Sequence, residues 1–383
     1  MMYRVNLRTA VGASRVPFVP RAYARTAEAA GLASWALALA LLACAALAQA
    51  ANAQEVDIPE MRLFRFEFDN DTFVGSDDAF SAGWSIQIHS PMYDEWKPGL
   101  AGWIGRIPTL RDDGHGGRIV RSAWGVTQLI ITPEDVTVRE AQPDDAPWAG
   151  LLGGYVTWSA YDNRRLGALQ MYVGCVGPCS QAEDVQEFVH NTLGFGDEPA
   201  GWANQLDDEL LVNLNYEYRY KLWSRAGRYN LPRWGNDLAV GAQAGVGSYA
   251  TYAAAWLEHR FGWKLSKGFT KFADPPALGV ALDPVYLDPN GPPVERTWRA
   301  YANLVARVRS VDEFAATQSG STEDGGFRVG TATPGDEQLI VGVHVAKLPL
   351  AFHLTYYRYY SDDLGELIPA EFDWVNFSFE RRF

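Results

Sequence analysis

The chain has 383 residues and a formal net charge of −13. That length gives room for one large or two ordinary domains, and an acidity of this size excludes nucleic-acid binding by charge. Past the N-terminal region no apolar run reaches the roughly 20 residues that a membrane-spanning helix needs, which leaves a soluble exported protein or a β-barrel.

The first segment, residues 1–25, carries arginines at 4, 8, 15, 21 and 25 and no acid. An apolar run over 31–47 follows, and then two small-x-small sites, Ala48-Gln49-Ala50 and Ala51-Asn52-Ala53. These features identify a secretory signal peptide over residues 1–53, cleaved before Ala51 or Gln54. Its removal takes five arginines and one glutamate, so residues 54–383 are more acidic still.

The remainder reads as strands. Residues 208–223 alternate over more than three turns of the pattern: Leu210, Val212, Leu214, Tyr216, Tyr218, Tyr220 and Leu222 lie between Leu211, Asn213, Asn215, Glu217, Arg219 and Lys221. Period two sustained that long is rarely needed in a soluble sheet. A tilted barrel strand, apolar outside and polar inside, requires it. Phe64, Phe66 and Phe68 alternate with Arg65, Glu67 and Asp69 near the start, and Val375, Phe377 and Phe379 lead to a terminal Phe383 at the end, with Arg381 interrupting the apolar series. That ending resembles the last strand of bacterial outer-membrane proteins. The abundance of Tyr and Trp suits interfacial aromatic belts.

Strands are predicted at 61–69, 80–90, 118–130, 150–160, 165–176, 207–223, 236–247, 249–261, 297–309, 337–346, 351–360 and 373–383. The fold class expected is therefore all-β: a transmembrane antiparallel barrel of about twelve strands, an even number as a single-chain bacterial barrel requires. With both termini in the periplasm, the outward loops are 70–79, 131–149, 177–206, a tight turn near 248, 310–336 and 361–371. Segments 91–117 and 262–296 are long for periplasmic turns. No internal repeat or linker divides the barrel.

The third outward loop holds one helix, expected over 181–193. Val185, Phe188, Val189 and Leu193 mark an apolar stripe at helical spacing. Gln186 and His190, one turn apart, lie at its edge, where an apolar surface meets polar chemistry. Before it, Cys175 and Cys179 permit a small disulfide loop in an exported protein, free thiols being the alternative. The first outward loop groups Asp69, Asn70, Asp71, Asp77 and Asp78, hard oxygens of the kind Ca²⁺ prefers, without EF-hand spacing. Asp145 and Glu209 are further acids at the outer rim.

In order along roughly 61–223 the chain carries Asn70-Asp71, Ser76-Asp77 followed by Phe80-Ser81-Ala82-Gly83, Thr132-Pro133-Glu134-Asp135, Asp145-Ala146-Pro147-Trp148-Ala149-Gly150, Gly174 to Pro178, Gln186-x3-His190, and Gly201-Trp202-x2-Gln205-Leu206-x2-Glu209. This ordered set resembles the outer-membrane lipid A 3′-O-deacylases, although Ala146 stands where that family usually has Arg. The resemblance implies a Ca²⁺-dependent carboxylic ester hydrolase of the bacterial outer membrane. Its outward-facing site removes the ester-linked 3′ acyloxyacyl chain of lipid A. Carried over, His190 is the base that activates water, Asn70 and Asp71 belong to the calcium site, Gln186 and Glu209 support the site, and Ser81 takes the place of the family's hydroxyl residue. The partners implied are lipopolysaccharide and outer-membrane lipids, with the protein acting as a monomer.

Two other readings compete. An outer-membrane phospholipase would need a nucleophilic serine near His190, with Ser180 and Ser81 as candidates. A small porin or structural barrel would share the polar lumen but would have no need of Gln186-x3-His190.

Overall fold

The computed structural model describes residues 62–70, 82–97, 99–112, 117–142, 145–192, 197–225, 234–270, 298–314, 336–360 and 371–383. The expected signal peptide, Asp71 and Ser81 lie outside the described residues.

Twelve strands form one closed antiparallel barrel. They are β1 Leu63–Asn70, β2 Ala82–His89, β3 Ile119–Ile131, β4 Ala149–Tyr161, β5 Arg165–Val176, β6 Glu209–Ser224, β7 Trp234–Gly247, β8 Ala250–Trp263, β9 Arg299–Phe314, β10 Asp336–Lys347, β11 Leu350–Tyr360 and β12 Glu371–Arg382. Each pairs with its chain neighbours, and β1 closes on β12 with Leu63 opposite Arg382 and Asn70 opposite Val375. All twelve expected strands are present, with ends shifted by a few residues.

The side-chain period is what allows the closure. Along β6, Asn213, Asn215, Glu217, Arg219 and Lys221 are buried in the lumen, while Leu210, Val212, Leu214 and Leu222 stand exposed on the outer wall. β1 repeats the arrangement, with Arg65, Glu67 and Asp69 inside and Phe66 outside. Charges taken from water need close partners, and they have them. Arg219 meets Glu217 at 2.6 Å and Glu258 at 3.1 Å, Lys221 and Arg260 share Asp237 at 2.9 and 2.5 Å, and Arg65 meets Glu380 at 2.6 Å. On β12 the outward series is broken at the exposed Arg381, as its sequence position implied.

The two long connections at the end bearing the termini have distinct jobs. Residues 265–270 enter the lumen: Leu265, Phe269 and Thr270 are buried. Arg260 and Arg219 donate to the carbonyls of Phe269 and Thr270, each at 2.8 Å, and the Lys221 ammonium donates to that of Lys267. This end of the lumen is therefore occupied by chain.

The described residues of the 90–118 connection instead fold back onto the outer wall. Tyr93 and Val120 exchange backbone hydrogen bonds of 2.8 and 3.0 Å. A short helix, α1 (Leu100–Ile104), follows. Ile104 and Leu110 then pack on Val120, Trp158, Ala160 and Leu169, outward positions that would otherwise meet lipid. The length of this connection, anomalous for a turn, is the length of a flap that covers wall.

Candidate functional site

At the loop end of the barrel, strand pairing aligns Asn70, Ala82, Ile130 and Gly150 across β1 to β4. All four take the outward alternation. Strands are spaced about 4.8 Å apart, so Asn70 lies roughly 10 Å along the wall from Ile130. Asp69 points the other way: it is buried in the lumen, where Asn376 Nδ2 donates to its carboxylate at 3.0 Å. Within the acidic group noted in the first outward loop, Asp69 therefore does not share Asn70's side of the wall, because adjacent strand residues face opposite sides.

The loop after β5 returns to this wall. Gly177 has φ 99°, and its N–H donates to the Gly150 carbonyl at 2.9 Å. A Cβ at Gly177 would sit 2.6 Å from the Asp207 carbonyl oxygen. Cys175 and Cys179 form a disulfide here, and the Cys179 N–H donates to Asp208 at 2.7 Å. A 3-10 turn over Pro178–Ser180 leads through the left-handed Gln181 (φ 58°) into α2, Ala182–Glu187. The chain then continues as a π-helical turn, Phe188–Thr192. Among the described residues the single helix expected over 181–193 is thus two short pieces, separated by a change from α to π winding, and the left-handed Gln181 divides them from the 3-10 turn before it.

That change alters the expected faces. Gln186 is buried, 5% exposed, and accepts a 2.8 Å hydrogen bond from Trp202 Nε1. Phe188, expected on the packed stripe, is 56% exposed on the outside. Val185 does pack inward, against the cluster of Ile130, Trp148, Ala182 and Trp202. Burial and the nearby Glu187 and Asp184 push the Glu183 carboxyl up from the ordinary range.

Contact between α2 and the wall is direct. A Cβ added to Gly150 would lie 2.1 Å from Ser180 Oγ and 2.2 Å from Ala182 Cβ. Gln128, also an outward position, bridges wall and loop: its Nε2 donates to the Ser180 carbonyl at 2.7 Å and its Oε1 accepts from Trp84 Nε1 at 2.7 Å. Trp148 and Trp202 pack with ring centroids 5.0 Å apart. A Cβ at Gly201 would meet Trp148 Nε1 at 2.4 Å.

The remaining motif residues strap the loops together. Leu206 N–H donates to Trp148 O at 2.9 Å, Ala200 N–H to Val136 O at 2.8 Å, Asn204 Nδ2 to Arg139 O at 2.7 Å, and Glu134 N–H to the Asp145 carboxylate at 3.0 Å. Asp145, expected as a rim acid, is thus a loop tie. Hydrogen bonds from the hydroxyl and N–H of Thr137 hold the Asp135 carboxyl below the usual range.

His190 is half-buried on the π turn, with Nδ1 against the Asp197 carbonyl oxygen. A carbonyl only accepts, so Nδ1 is the donor in this contact, and in the neutral imidazole Nε2 is left as the acceptor. Gln186 and His190 share one helical segment, and Asn70 flanks the same wall. Glu209 is not brought to them: it starts β6 opposite Val176, on the alternation of the lumen residues Leu211 and Asn213, and makes no side-chain hydrogen bond among the described residues. Ser180, a candidate nucleophile of the phospholipase reading, is fully buried and donates to the Gly177 carbonyl at 2.6 Å. Among the described residues no three His, Cys, Asp or Glu converge on a metal position. Asn70 offers a hard oxygen of the type calcium takes.

Sequence reasoning missed Gln128, Trp84 and Gly150 as the seat of the helix. Gln128 carried a signal: it is a polar residue in the outward series Trp124, Val126, Gln128, Ile130. Replacing Gln128 with Ala leaves the half-buried Trp84 N–H and the Ser180 carbonyl without this partner, a loss of about 1–3 kcal/mol. Limited proteolysis of the 177–208 loop is expected to accelerate in this variant while the strands stay protected; unchanged cleavage would show that the bridge does not hold the loop.

The family described as outer membrane protein LpxR matches residues 36–357. Among solved structures, LpxR from Salmonella typhimurium superposes with a TM-score of 0.63 at 14% identity, covering 84% of this chain and 100% of that one. The β domain of the Bordetella autotransporter BrkA gives a TM-score of 0.41 at 12% identity, covering 85% and 100%. No curated protein matches the sequence. With the family match running across most of the barrel, this chain belongs to the LpxR family of outer membrane proteins.

Proposed function

We propose that the protein is a Ca²⁺-dependent lipid A 3′-O-deacylase, with its active site at the outward end of the barrel, between the wall and the π turn that carries His190. One observation carries the reading: the histidine-bearing helix is seated on the lipid-facing side of the wall, not over the lumen. A substrate held in the outer leaflet by its acyl chains reaches that position sideways.

The reaction is hydrolysis of the ester at the 3′ oxygen of lipid A. The Asp197 carbonyl fixes the tautomer of His190, so Nε2 is the acceptor for a proton from water. The water oxygen bonds to the ester carbonyl carbon. The tetrahedral adduct expels the sugar 3′ oxygen, which takes the proton back from the imidazolium. The products are a free acyloxyacyl acid and a 3′ hydroxyl. Asn70 and Asp71 would hold the calcium, whose chemistry here is Lewis-acid polarisation of the ester carbonyl. Gln186 acts through position, anchoring the helix to Trp202. Ser81 and Glu209 are proposed to contribute from the rim, and the protein works as a monomer.

The buried hydroxyl of Ser180 removes one of the two candidate nucleophiles of a serine phospholipase. The chain filling the terminal end of the lumen disfavours a porin. Mass spectrometry of lipid A from washed membranes decides the matter. With calcium, the 3′ acyloxyacyl mass is expected to disappear; with chelator, the loss slows at least about tenfold, as removal of a Lewis acid worth several kcal/mol requires. Intact lipid A alongside a correctly inserted barrel would sink the proposal.

A further inference from the structure

At the end of the barrel opposite α2, the 90–118 flap and the β4–β5 turn enclose an open recess of about 620 Å³. Arg111 and Arg118 line it from the flap, and Arg164 and Arg165 from the turn, with Asp112 and Asp162 beside them. The two acids are engaged locally. Asp162 accepts from the N–H groups of Arg164 and Arg165 at 2.6 and 2.7 Å, and Asp112 accepts from the Trp96 N–H at 3.3 Å. Arg118 forms the buried floor, donating to the carbonyls of Arg111 at 2.9 Å, Ala160 at 3.2 Å and Thr109. Among the described residues no carboxylate pairs with the exposed Arg111, Arg164 or Arg165, and Arg164 lies over the Tyr220 ring at 5.5 Å. In a chain with a net charge of −13, four arginines around one recess are a local reversal of sign.

Its level in the membrane follows from the wall. Gly167 is where the flap touches β5, since a Cβ there would lie 2.5 Å from the Thr109 carbonyl oxygen. Arg165 takes the same outward alternation two residues nearer the barrel end, about 7 Å away. The flap covers wall positions that would otherwise contact acyl chains, so the hydrocarbon boundary lies at its edge. Trp103 on α1 is 54% exposed there, a residue suited to that boundary.

We propose that this recess binds the headgroup phosphate of a glycerophospholipid from the leaflet at the terminal end of the barrel. Planar guanidinium groups match phosphate oxygens in pairs, and the neighbouring wall accepts acyl chains. The choice of leaflet rests on the orientation proposed above.

Native mass spectrometry of the full-length protein, extracted in mild detergent, tests it. The wild type is expected to carry one glycerophospholipid. In Arg164→Ser/Arg165→Ser, retention should fall roughly tenfold, with the heat-dependent gel shift of the folded barrel unchanged. Arg381→Ser, which removes another exposed outward arginine at the same end, should retain the lipid. No bound lipid, bound inorganic phosphate alone, or equal loss in the Arg381 variant would overturn the site. Bound lipid A in its place would overturn the orientation, leaving the recess a phosphate site of the other leaflet.

Discussion

Replacing His190 with alanine is expected to lower lipid A deacylation by two to four orders of magnitude, the usual range for loss of a general base. The structure supplies the reason for so large a value. Nδ1 is committed to the Asp197 carbonyl, so Nε2 is the ring atom left for proton transfer. His190→Gln is the sharper variant. Its amide can donate to the same carbonyl, but it has no atom with the basicity of an imidazole nitrogen. The measurement is the rate of 3′ acyl loss by mass spectrometry at matched barrel levels, with folding followed by the heat-dependent gel shift. Both variants are expected to fold and insert as wild type. Glutamine activity within a few-fold of wild type would remove His190 from proton transfer and leave it a structural contact of the 188–197 turn.

The barrel was legible because its physics is local and repeated. In β6, burial alternates residue by residue along the polar series from Asn213 to Lys221, and a period of two needs no knowledge of the partner strand. The loop helix was legible only in outline. Its amphipathic spacing located it, but the break at Gln181 and the π winding after Glu187 depend on what α2 packs against. Gln186 therefore turned inward to Trp202, sixteen residues away, a pairing that no helical period encodes. Asp69 and Asn70 show the reverse failure. As a run of acids they look like one cluster, and the strand that contains them separates them onto opposite sides of the wall. The flap over 90–118 was visible only as a misfit, because the outer wall it covers is built from β3, β4 and β5. Motifs such as Asp145 to Gly150 and Gly201 to Leu206 stood out in the sequence, and the bonds they make are those of a frame.

That frame makes a second large prediction, from a residue with no side chain. Gly150→Ala is expected to reduce deacylation by about 100-fold, the loss that follows when a catalytic group moves by roughly 1 Å. The new methyl would start 2.1 Å from Ser180 Oγ and 2.2 Å from Ala182 Cβ, where carbon–carbon contact needs about 3.5–4.0 Å. Neither neighbour is the far end of a flexible chain. Gln128 and the disulfide hold the start of the loop to the wall, so the displacement passes into α2 and on to the turn that carries His190. Gly154→Ala is the matched control. Gly154 lies on the same strand and the same face, but its nearest contact for a Cβ is the Gly125 carbonyl oxygen at 3.7 Å, an ordinary separation. It should leave the rate within about twofold, as surface changes away from special contacts do. Both variants keep the strand pairing of β4 and should show the same gel shift. If the two alanines behave alike, the seating of α2 on the wall does not set the rate, and the active site must be sought among the rim residues of β1 and β2. If only Gly150→Ala fails, a restored rate in Gly150→Ala/Ser180→Gly/Ala182→Gly would trace the loss to those two contacts alone, and place the origin of catalysis in the distance between a barrel wall and the helix laid against it.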